Sequence, residues 1–400
     1  MDTKVDKIKK MYRNDVKNIT LPPIQIESSQ KTFVASGPVQ RILHQLKTVI
    51  AVTLEYEHQL VLLFEQDGKV VARFLEIPHP SGMFFDGETL ITTSTRSPNQ
   101  VLFFRVFPKG YRSQILPDVL PNLRSETSGG MSASLKEPLL LPVKSVFLPG
   151  QFSVHDTVKI GKDIYVVATG VNFLAKVSPE GGFERAWHPK CLDRLGKKAF
   201  KTNYLQLNSI ARGKSVRECF FTGFSDQPTQ TKPWKAGYGP KNKGVVFEGS
   251  SRETIYRGLT CPHSVRKYRG ELWLCDSGMG ELGVLDAKRS AYRTVAKLPG
   301  FTRGLIFSGS YAIIGLSKVI PKYEPYAPGL EPSKSQCGIV FVNVKTGKEE
   351  ASVIWPDGFQ VYDVQMLDGL KSALLPENNS NSMNYYLTYY GWDRKCKHKS

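Results

Sequence analysis

The amino-acid sequence predicts an all-β protein: a six-bladed β-propeller of four-stranded antiparallel blades, with a short polar N-terminal extension. Three observations support this prediction. Short apolar, β-rich bursts recur between Gly, Asp, Asn and Lys turns, whereas helical periodicity is scarce. Bursts such as TVIAVTLEY (48–56) and QLVLLFE (59–65) are apolar on both faces, which is typical of strands covered on both sides. Finally, one four-stranded segment recurs along the chain.

The clearest copy of this repeat begins with CPHSVRKYRGELWLCDSGMGELGVLD (261–286). Arg269-Gly270 predicts a two-residue hairpin turn, because glycine tolerates a positive φ. Four short antiparallel strands within about 36 residues match one propeller blade. The predicted strands are His263–Tyr268, Leu272–Asp276, Gly283–Asp286 and Tyr292–Leu298.

Weaker copies of the pattern start at polar lead positions that are irregularly spaced along the chain. Six leads predict six blades. The strands near residues 48–72 would complete the sixth blade, a closure that removes open sheet edges. The leads are His79, His155, Asn208, His263, Arg303 and Tyr362-Asp363.

The domain organisation follows from the extent of the repeats. We expect one propeller domain over residues 36–393, after a polar extension at 1–35 and before a basic tail at 394–400. The Pro- and Ser-rich segment 108–150 and the Pro-, Gly- and Lys-rich segment 225–243 are expected insertions. The second insertion, which carries Trp234, could close over the channel as a lid or be an ordinary long loop.

The net charge is +18, from 54 Lys and Arg against 36 Asp and Glu, and such a surface favours anionic partners. Nucleic acid is not an expected partner, because no RNP, KH or zinc-finger motif is present. The N-terminus lacks the apolar core of a secretory signal, and no apolar run of about 18 residues could span a membrane. The six cysteines form no CxxC pair. We expect a cytoplasmic protein with reduced thiols.

Four segments resemble a bacterial family of conserved hypothetical proteins, which share a domain of unknown function with a propeller-like fold and are sometimes joined to tetratricopeptide repeats. The resemblance runs over residues 150–370 and implies a fold but no chemistry. The family pattern places a histidine two residues before the asparagine at 208, where this chain has Gln206. The segments are HDTVKIGKDIYVVATGVNFLAKV, PHSVRKYRGELWLCDSGMGELGVLD, LPGFTRGLIFSGSYAIIGLSKV and CGIVFVNVKTG.

Inner strands line the channel of a propeller, so the leads are expected to converge at one mouth. One hypothesis is a metal site, in which His79, His155 and His263 hold a divalent ion such as Zn or Fe. A metal-bound water could then act as a base or nucleophile. The alternative is that these histidines cap their strands through hydrogen bonds to the backbone.

A second hypothesis is acid–base chemistry without a metal. With a two-residue turn at Arg269-Gly270, His263 is expected to face Asp276, and a carboxylate beside an imidazole raises the imidazole pKa. Arg303 could hold a carboxylate, sulfate or phosphate of the substrate. Alternatively, Asp276 caps the DSGMG turn and Arg303 pairs with an acidic neighbour such as Asp363.

The sequence thus predicts a small-molecule enzyme of lyase, isomerase or hydrolase type, possessing catalytic His263, Asp276 and Arg303. Its substrate would be small and anionic or polar. The alternative is a non-catalytic propeller scaffold that binds an anionic glycan or a protein partner. The expected substrate-binding residues are Asn208, Tyr362, Asp363 and Trp234.

Overall fold

The computed structural model describes residues 32–96, 98–113, 133–148, 151–229, 232–233 and 237–376. Within these residues six antiparallel sheets, each built on four strands, form the predicted six-bladed propeller. Trp234, the basic tail at 394–400 and nearly all of the extension at 1–35 lie outside the described residues.

The described chain starts with a short strand and a helix that pack on the propeller. The helix is amphipathic: Val39, Ile42 and Leu43 share its buried face, and it ends at Lys47, a left-handed residue whose amide donates to Leu43 O. The first elements are β1 (Val34–Ser36), α1 (Val39–Leu46), β2 (Val49–Leu54), β3 (Gln59–Gln66) and β4 (Lys69–Glu76).

Blades 1 to 5 follow in chain order, and each runs from the channel outwards. Blade 1 contains β5 (Pro80–Phe85), β6 (Thr89–Ser94), β7 (Gln100–Phe107) and, after the hairpin of β8 (Arg112–Ser113) and β9 (Ala133–Ser134), β10 (Leu139–Phe147). Blade 2 contains β11 (Val154–Ile160), β12 (Asp163–Ala168), β13 (Phe173–Val177) and β14 (Phe183–Trp187). Blade 3 contains β15 (Ser209–Ala211), β16 (Phe220–Gly223), β17 (Gly244–Glu248) and β18 (Thr254–Leu259).

Blade 4 contains β19 (Pro262–Tyr268), β20 (Glu271–Asp276), β21 (Glu281–Asp286) and β22 (Ala291–Lys297). Blade 5 contains β23 (Phe301–Ser308), β24 (Tyr311–Ser317), β25 (Gly338–Asn343) and β26 (Glu349–Ile354), and β1 is added at its outer edge. The last strand is β27 (Val361–Leu367). Short 3-10 helices lie at Thr169–Val171, Val216–Glu218, Ser277–Met279, Pro321–Tyr326 and Pro332–Lys334. The segment Lys190–Phe200 is also of this type, but a kink at Gly196 divides it in two.

The ring closes because the two ends of the fold share a blade. β27 pairs with β2, and the sheet continues through β3 and β4, so the N-terminal strands complete blade 6 as predicted. The inner strands contact one another in the closed order β5, β11, β15, β19, β23, β27 and back to β5. Every residue of β2 is buried, in agreement with a strand that is covered on both faces.

The insertions differ from the expected ones in one respect. β10 lies within the segment 108–150 and pairs with β7, so this part of the segment is the outer strand of blade 1. Segment 225–243 connects β16 to β17 in blade 3. No helix in the described ranges is long and apolar enough to cross a membrane.

Five inner strands share a β-bulge near their start: β5, β11, β19, β23 and β27. A bulge leaves backbone amides unpaired within its own sheet. Side chains from the preceding blade accept hydrogen bonds from amides at these bulges: Asp363 Oδ2 accepts from Met83 N at 2.8 Å, and Ser264 Oγ accepts from Gly304 N at 2.9 Å. The bulges therefore join neighbouring blades around the channel.

Candidate functional site

A cavity of about 710 Å³, here called the mouth cavity, lies at one mouth of the central channel. In an antiparallel pair, the first residues of the inner strand lie beside the last residues of the second strand. The cavity is accordingly lined by residues at the starts of inner strands and by the segments that follow second strands. Of the predicted site residues, His155, His263, Arg303 and Tyr362 line it.

The predicted pairing of His263 with Asp276 is wrong. The hairpin turn is as expected, because Tyr268 pairs with Glu271, but a bulge between His263 and Arg266 shifts the register by one residue. His263 therefore pairs with Cys275, and Asp276 lies on the other face of the sheet.

His263 is held as a neutral imidazole. Its Nδ1 lies 2.9 Å from Cys261 O and 3.0 Å from Ser277 Oγ, whose hydroxyl donates to Thr302 O at 2.6 Å. A carbonyl oxygen only accepts, so Nδ1 carries the proton and Nε2 carries a lone pair. Burial lowers the pKa of His263 well below its ordinary 6.5, and the positive charge of Arg303 lowers it further.

His155 has the same tautomer for the same reason. Its Nδ1 donates to Ser153 O at 2.7 Å, and its Nε2 accepts from Gln206 Nε2 at 3.1 Å. Asn203 Nδ2 donates to Gln206 Oε1 at 2.5 Å, which fixes the orientation of the Gln206 amide. Burial, followed by the charge of Arg303, lowers the pKa of His155 to about 3. Both imidazoles of the cavity are therefore uncharged acceptors at neutral pH.

Arg303 is buried in the wall of the mouth cavity. Its side chain is only 7% exposed, and its guanidinium lies over the Tyr362 ring at 3.4 Å from the centroid. With the Gln360 amide oriented to satisfy both neighbours, Gln360 Oε1 accepts from Arg303 Nη1 at 3.0 Å, and its nitrogen donates to Glu55 Oε2 at 2.8 Å. Arg303 Nη2 is buried and has no hydrogen-bond partner among the described residues.

The structure does not support the proposed metal site. His79 occupies a different position from the other two histidines: the second residue of the inner strand is His155 in β11 and His263 in β19, but Ser81 in β5. Its Nδ1 donates to Glu55 Oε1 at 3.0 Å. Within the described part of the chain, no group of three or more His, Cys, Asp or Glu side chains is placed to hold a metal ion.

Backbone conformation explains why His79 does not occupy the position of the other two histidines. The residues that lie two positions before Ser81, His155, Asn208 and His263 all have left-handed φ angles of 42 to 51°. His79 is one of these turn residues, and its ring contacts that of His58 at a tilt of 60°, with centroids 4.1 Å apart. The other turn residues are Ser153, Gln206 and Cys261.

The remaining predicted residues that the structure describes do not line the cavity. Asn208 is buried between blades, where its amide donates to Pro262 O at 2.9 Å and to Gln206 O at 3.2 Å. Asp276 Oδ1 accepts from Thr260 N at 2.6 Å, and burial followed by the charge of Glu281 raises its pKa to about 7.

Asp363 lies deeper in the channel. It faces Arg266 across an Oδ1 to Nη2 distance of 3.6 Å, and Arg266 Nη1 also donates to Asp156 Oδ2 at 2.8 Å. Burial raises the pKa of Asp363 to about 7 despite this guanidinium. Arg303, by contrast, forms no direct ion pair with Asp363. The described residues of the expected lid, segment 225–243, do not line the mouth cavity.

Several cavity residues were not predicted from the sequence. Glu55 and Tyr56 follow β2, Arg96 follows β6, and Lys318 follows β24. Only the topology of the blades could have indicated them: they follow second strands, and the end of a second strand lies beside the start of its inner strand. Aromatic rings form much of the remaining wall: Tyr56, Phe224, Phe301, Tyr323, Tyr326 and Phe359.

The lining is strongly basic. Five basic side chains face one acidic side chain, Glu55, among the described residues of the wall. Glu55 is only 2% exposed and is paired with Arg96, whose Nε lies 2.9 Å from Oε1. The cavity thus offers positive charge, the neutral imidazole acceptor of His263 and aromatic surface. The basic residues are Arg96, Lys201, Arg303, Lys318 and Lys322.

Comparison with known proteins agrees with the fold. The sequence profile of a domain of unknown function (DUF4915) matches residues 38–375. Among solved structures, the chain is similar to one in the crystal structure of a nidogen/laminin complex, with a TM-score of 0.50 at 11% sequence identity, over 81% of this chain and 99% of that chain. At this identity the similarity shows the fold alone. No curated protein matches the chain.

Proposed function

This chain belongs to the family of the domain of unknown function DUF4915, and we propose that it is a binding propeller whose mouth cavity holds a small organic anion. The observation that carries the proposal is Arg303. A buried guanidinium with an unpartnered Nη2 and no direct carboxylate partner among the described residues is left ready for an anionic ligand.

The charges around Arg303 favour the same ligand. Four further basic side chains line the cavity, and Glu55, the one acidic side chain among the described residues of its wall, is already paired with Arg96. Positive side chains in a cleft with apolar walls raise the local concentration of anions. The volume of about 710 Å³ is within the range of small-molecule pockets. A small molecule reaches Arg303, which is 7% exposed, more readily than a flat protein surface does.

Calorimetric titration of the full chain with glucuronate, citrate, sulfate and phosphate tests the proposal. Charge-assisted hydrogen bonds contribute about 1.5–3 kcal/mol, so Arg303→Met should weaken anion binding by roughly 10- to 150-fold. Arg289→Met is a matched control, because the Arg289 side chain is 84% exposed on a turn of blade 4. Binding by none of the four anions, or equal binding by Arg303→Met and wild type, would overturn the proposal.

Catalysis of lyase or isomerase type is a second candidate, favoured by the unprotonated Nε2 of His263. This nitrogen could remove the proton next to a carboxylate that Arg303 holds. The lowered pKa of His263 makes it a weak base, so we place binding first. Glucuronate incubated in D₂O with the protein distinguishes the two: NMR loss of the proton next to the carboxylate, with wild type but not with His263→Asn, would indicate catalysis.

A further inference from the structure

His263 offers the mouth cavity a second recognition group. Its Nδ1 proton is directed to Cys261 O and Ser277 Oγ, so Nε2 is a lone-pair acceptor. The side chain is 4% exposed and lines the cavity, and no described residue donates to this nitrogen. A ligand group that donates a hydrogen bond to this nitrogen would satisfy the acceptor.

The corresponding acceptor of His155, by contrast, is not free to bind a ligand. Its Nε2 is already satisfied by the Gln206 amide, which Asn203 orients in turn. Two histidines with the same Nδ1 anchoring thus differ at Nε2: one is satisfied within the protein and one is open.

The acceptor Nε2 of His263 and the unpartnered donor Nη2 of Arg303 belong to residues that line the same cavity. His263 and Arg303 lie on the neighbouring inner strands β19 and β23, which contact each other. The charge of Arg303 also acts on the His263 imidazole. We propose, on the basis of the binding function above, that the ligand is a hydroxylated carboxylic acid whose carboxylate accepts from Arg303 Nη2 and whose hydroxyl donates to His263 Nε2.

The surroundings favour a hydroxyl over an ammonium as the donor. An ammonium group would also donate to Nε2, but it would enter a cavity with five basic side chains and one acidic side chain. The rings of Phe224 and Phe301 lie 5.4 and 5.5 Å from His263, both edge to face. They provide apolar surface for the carbon skeleton of the ligand.

Quinate and cyclohexanecarboxylate form a matched pair of probes, because both are six-membered ring carboxylates and only quinate carries ring hydroxyls. His263→Asn is the informative variant. Asn208 already donates its amide to the carbonyl two residues earlier, as His263 does with Nδ1, so asparagine should keep this anchor and remove the Nε2 acceptor. His44→Asn, at a side chain that is 71% exposed on α1, is the control.

Isothermal titration of the full chain gives the ratio of the two Kd values. We expect His263→Asn to reduce the preference for quinate by at least about fivefold, and His44→Asn to leave it unchanged. An unchanged preference in His263→Asn would overturn this inference and leave anion binding intact. Failure of both acids to bind wild type would instead count against the proposed function.

Discussion

Three buried side chains near the channel mouth have pKa values far from their ordinary range. Burial lowers the pKa of His155 to about 3 and that of His263 well below 6.5. It raises the pKa of Asp276 to about 7. All three are therefore largely uncharged in mildly acidic solution, and the two histidines, which line the cavity, add no positive charge to that of Arg303.

Asp276→Asn tests this view of the charge states. The pKa of Asp276 rises from 3.8 to about 7 on folding, so the folded state holds its proton more tightly. Wild type should lose stability as the pH rises from about 4 to 7, by up to about 1.4 kcal/mol per pH unit. Asparagine is never ionised, and its oxygen can still accept from Thr260 N.

The free energy of unfolding of the variant should therefore increase relative to that of wild type across this window. The difference between the two free energies should stop growing above about pH 7. Urea denaturation at several pH values measures the difference. A difference that does not depend on pH would show that Asp276 keeps an ordinary pKa in the folded protein.

Single residues also show which features of the site could be predicted from the sequence and which could not. His263, Arg303 and Tyr362 could be assigned to the channel end because they begin inner strands. The partner of His263 could not, because one extra residue in a bulge transfers every later side chain to the opposite face. Glu55 could not be assigned to the cavity from the sequence, because it follows a second strand in a blade that is assembled from both ends of the chain.

At the scale of elements, the bulges of the inner strands position the site. Gly304 follows Arg303 at such a bulge and has a φ of +73°. A Cβ atom here would lie 2.8 Å from Val364 N, on the next inner strand. Glycine is thus required both by the left-handed backbone and by the close approach of blade 6.

Gly304→Ala should destabilise the protein more than Gly309→Ala. Gly309 has a similar φ of +57°, but a Cβ there would meet nothing within 4 Å. Both variants incur about 1–2 kcal/mol of left-handed strain, and Gly304→Ala should lose about 1–3 kcal/mol more from the clash. Chemical denaturation of the two variants measures this; equal losses would contradict the proposed packing between blades.

At the scale of the whole molecule, one side chain links three blades across the channel. Arg266 of blade 4 contacts Asp156 of blade 2 and Asp363 of blade 6. Both carboxylates are buried, and this guanidinium is the cation that the two share.

Arg266→Met should destabilise the fold by about 3–5 kcal/mol, because it leaves two buried carboxylates without their cation. The loss should be greater at pH 8 than at pH 5, because burial raises the pKa of Asp363 to about 7 and this acid is protonated at the lower pH. Melting curves at the two pH values, with Arg289→Met as the control, measure this effect. A loss that is the same at both values would indicate that Arg266 acts through packing alone.

The number of blades and the closure of the ring could be predicted because they depend on repeated patterns: six leads, strands that are apolar on both faces, and unpaired N-terminal strands. The outer strand β10 could not be assigned, since Pro142 and a register shift interrupt its pattern. The cavity depends on which strand ends meet in space, and no local sequence pattern records this.

A crystal structure of the full chain with bound quinate tests the central claim most directly. The account predicts a carboxylate oxygen within about 3 Å of Arg303 Nη2 and a hydroxyl at a similar distance from His263 Nε2. Quinate bound elsewhere, or bound in the mouth cavity with its carboxylate away from Arg303, would contradict it.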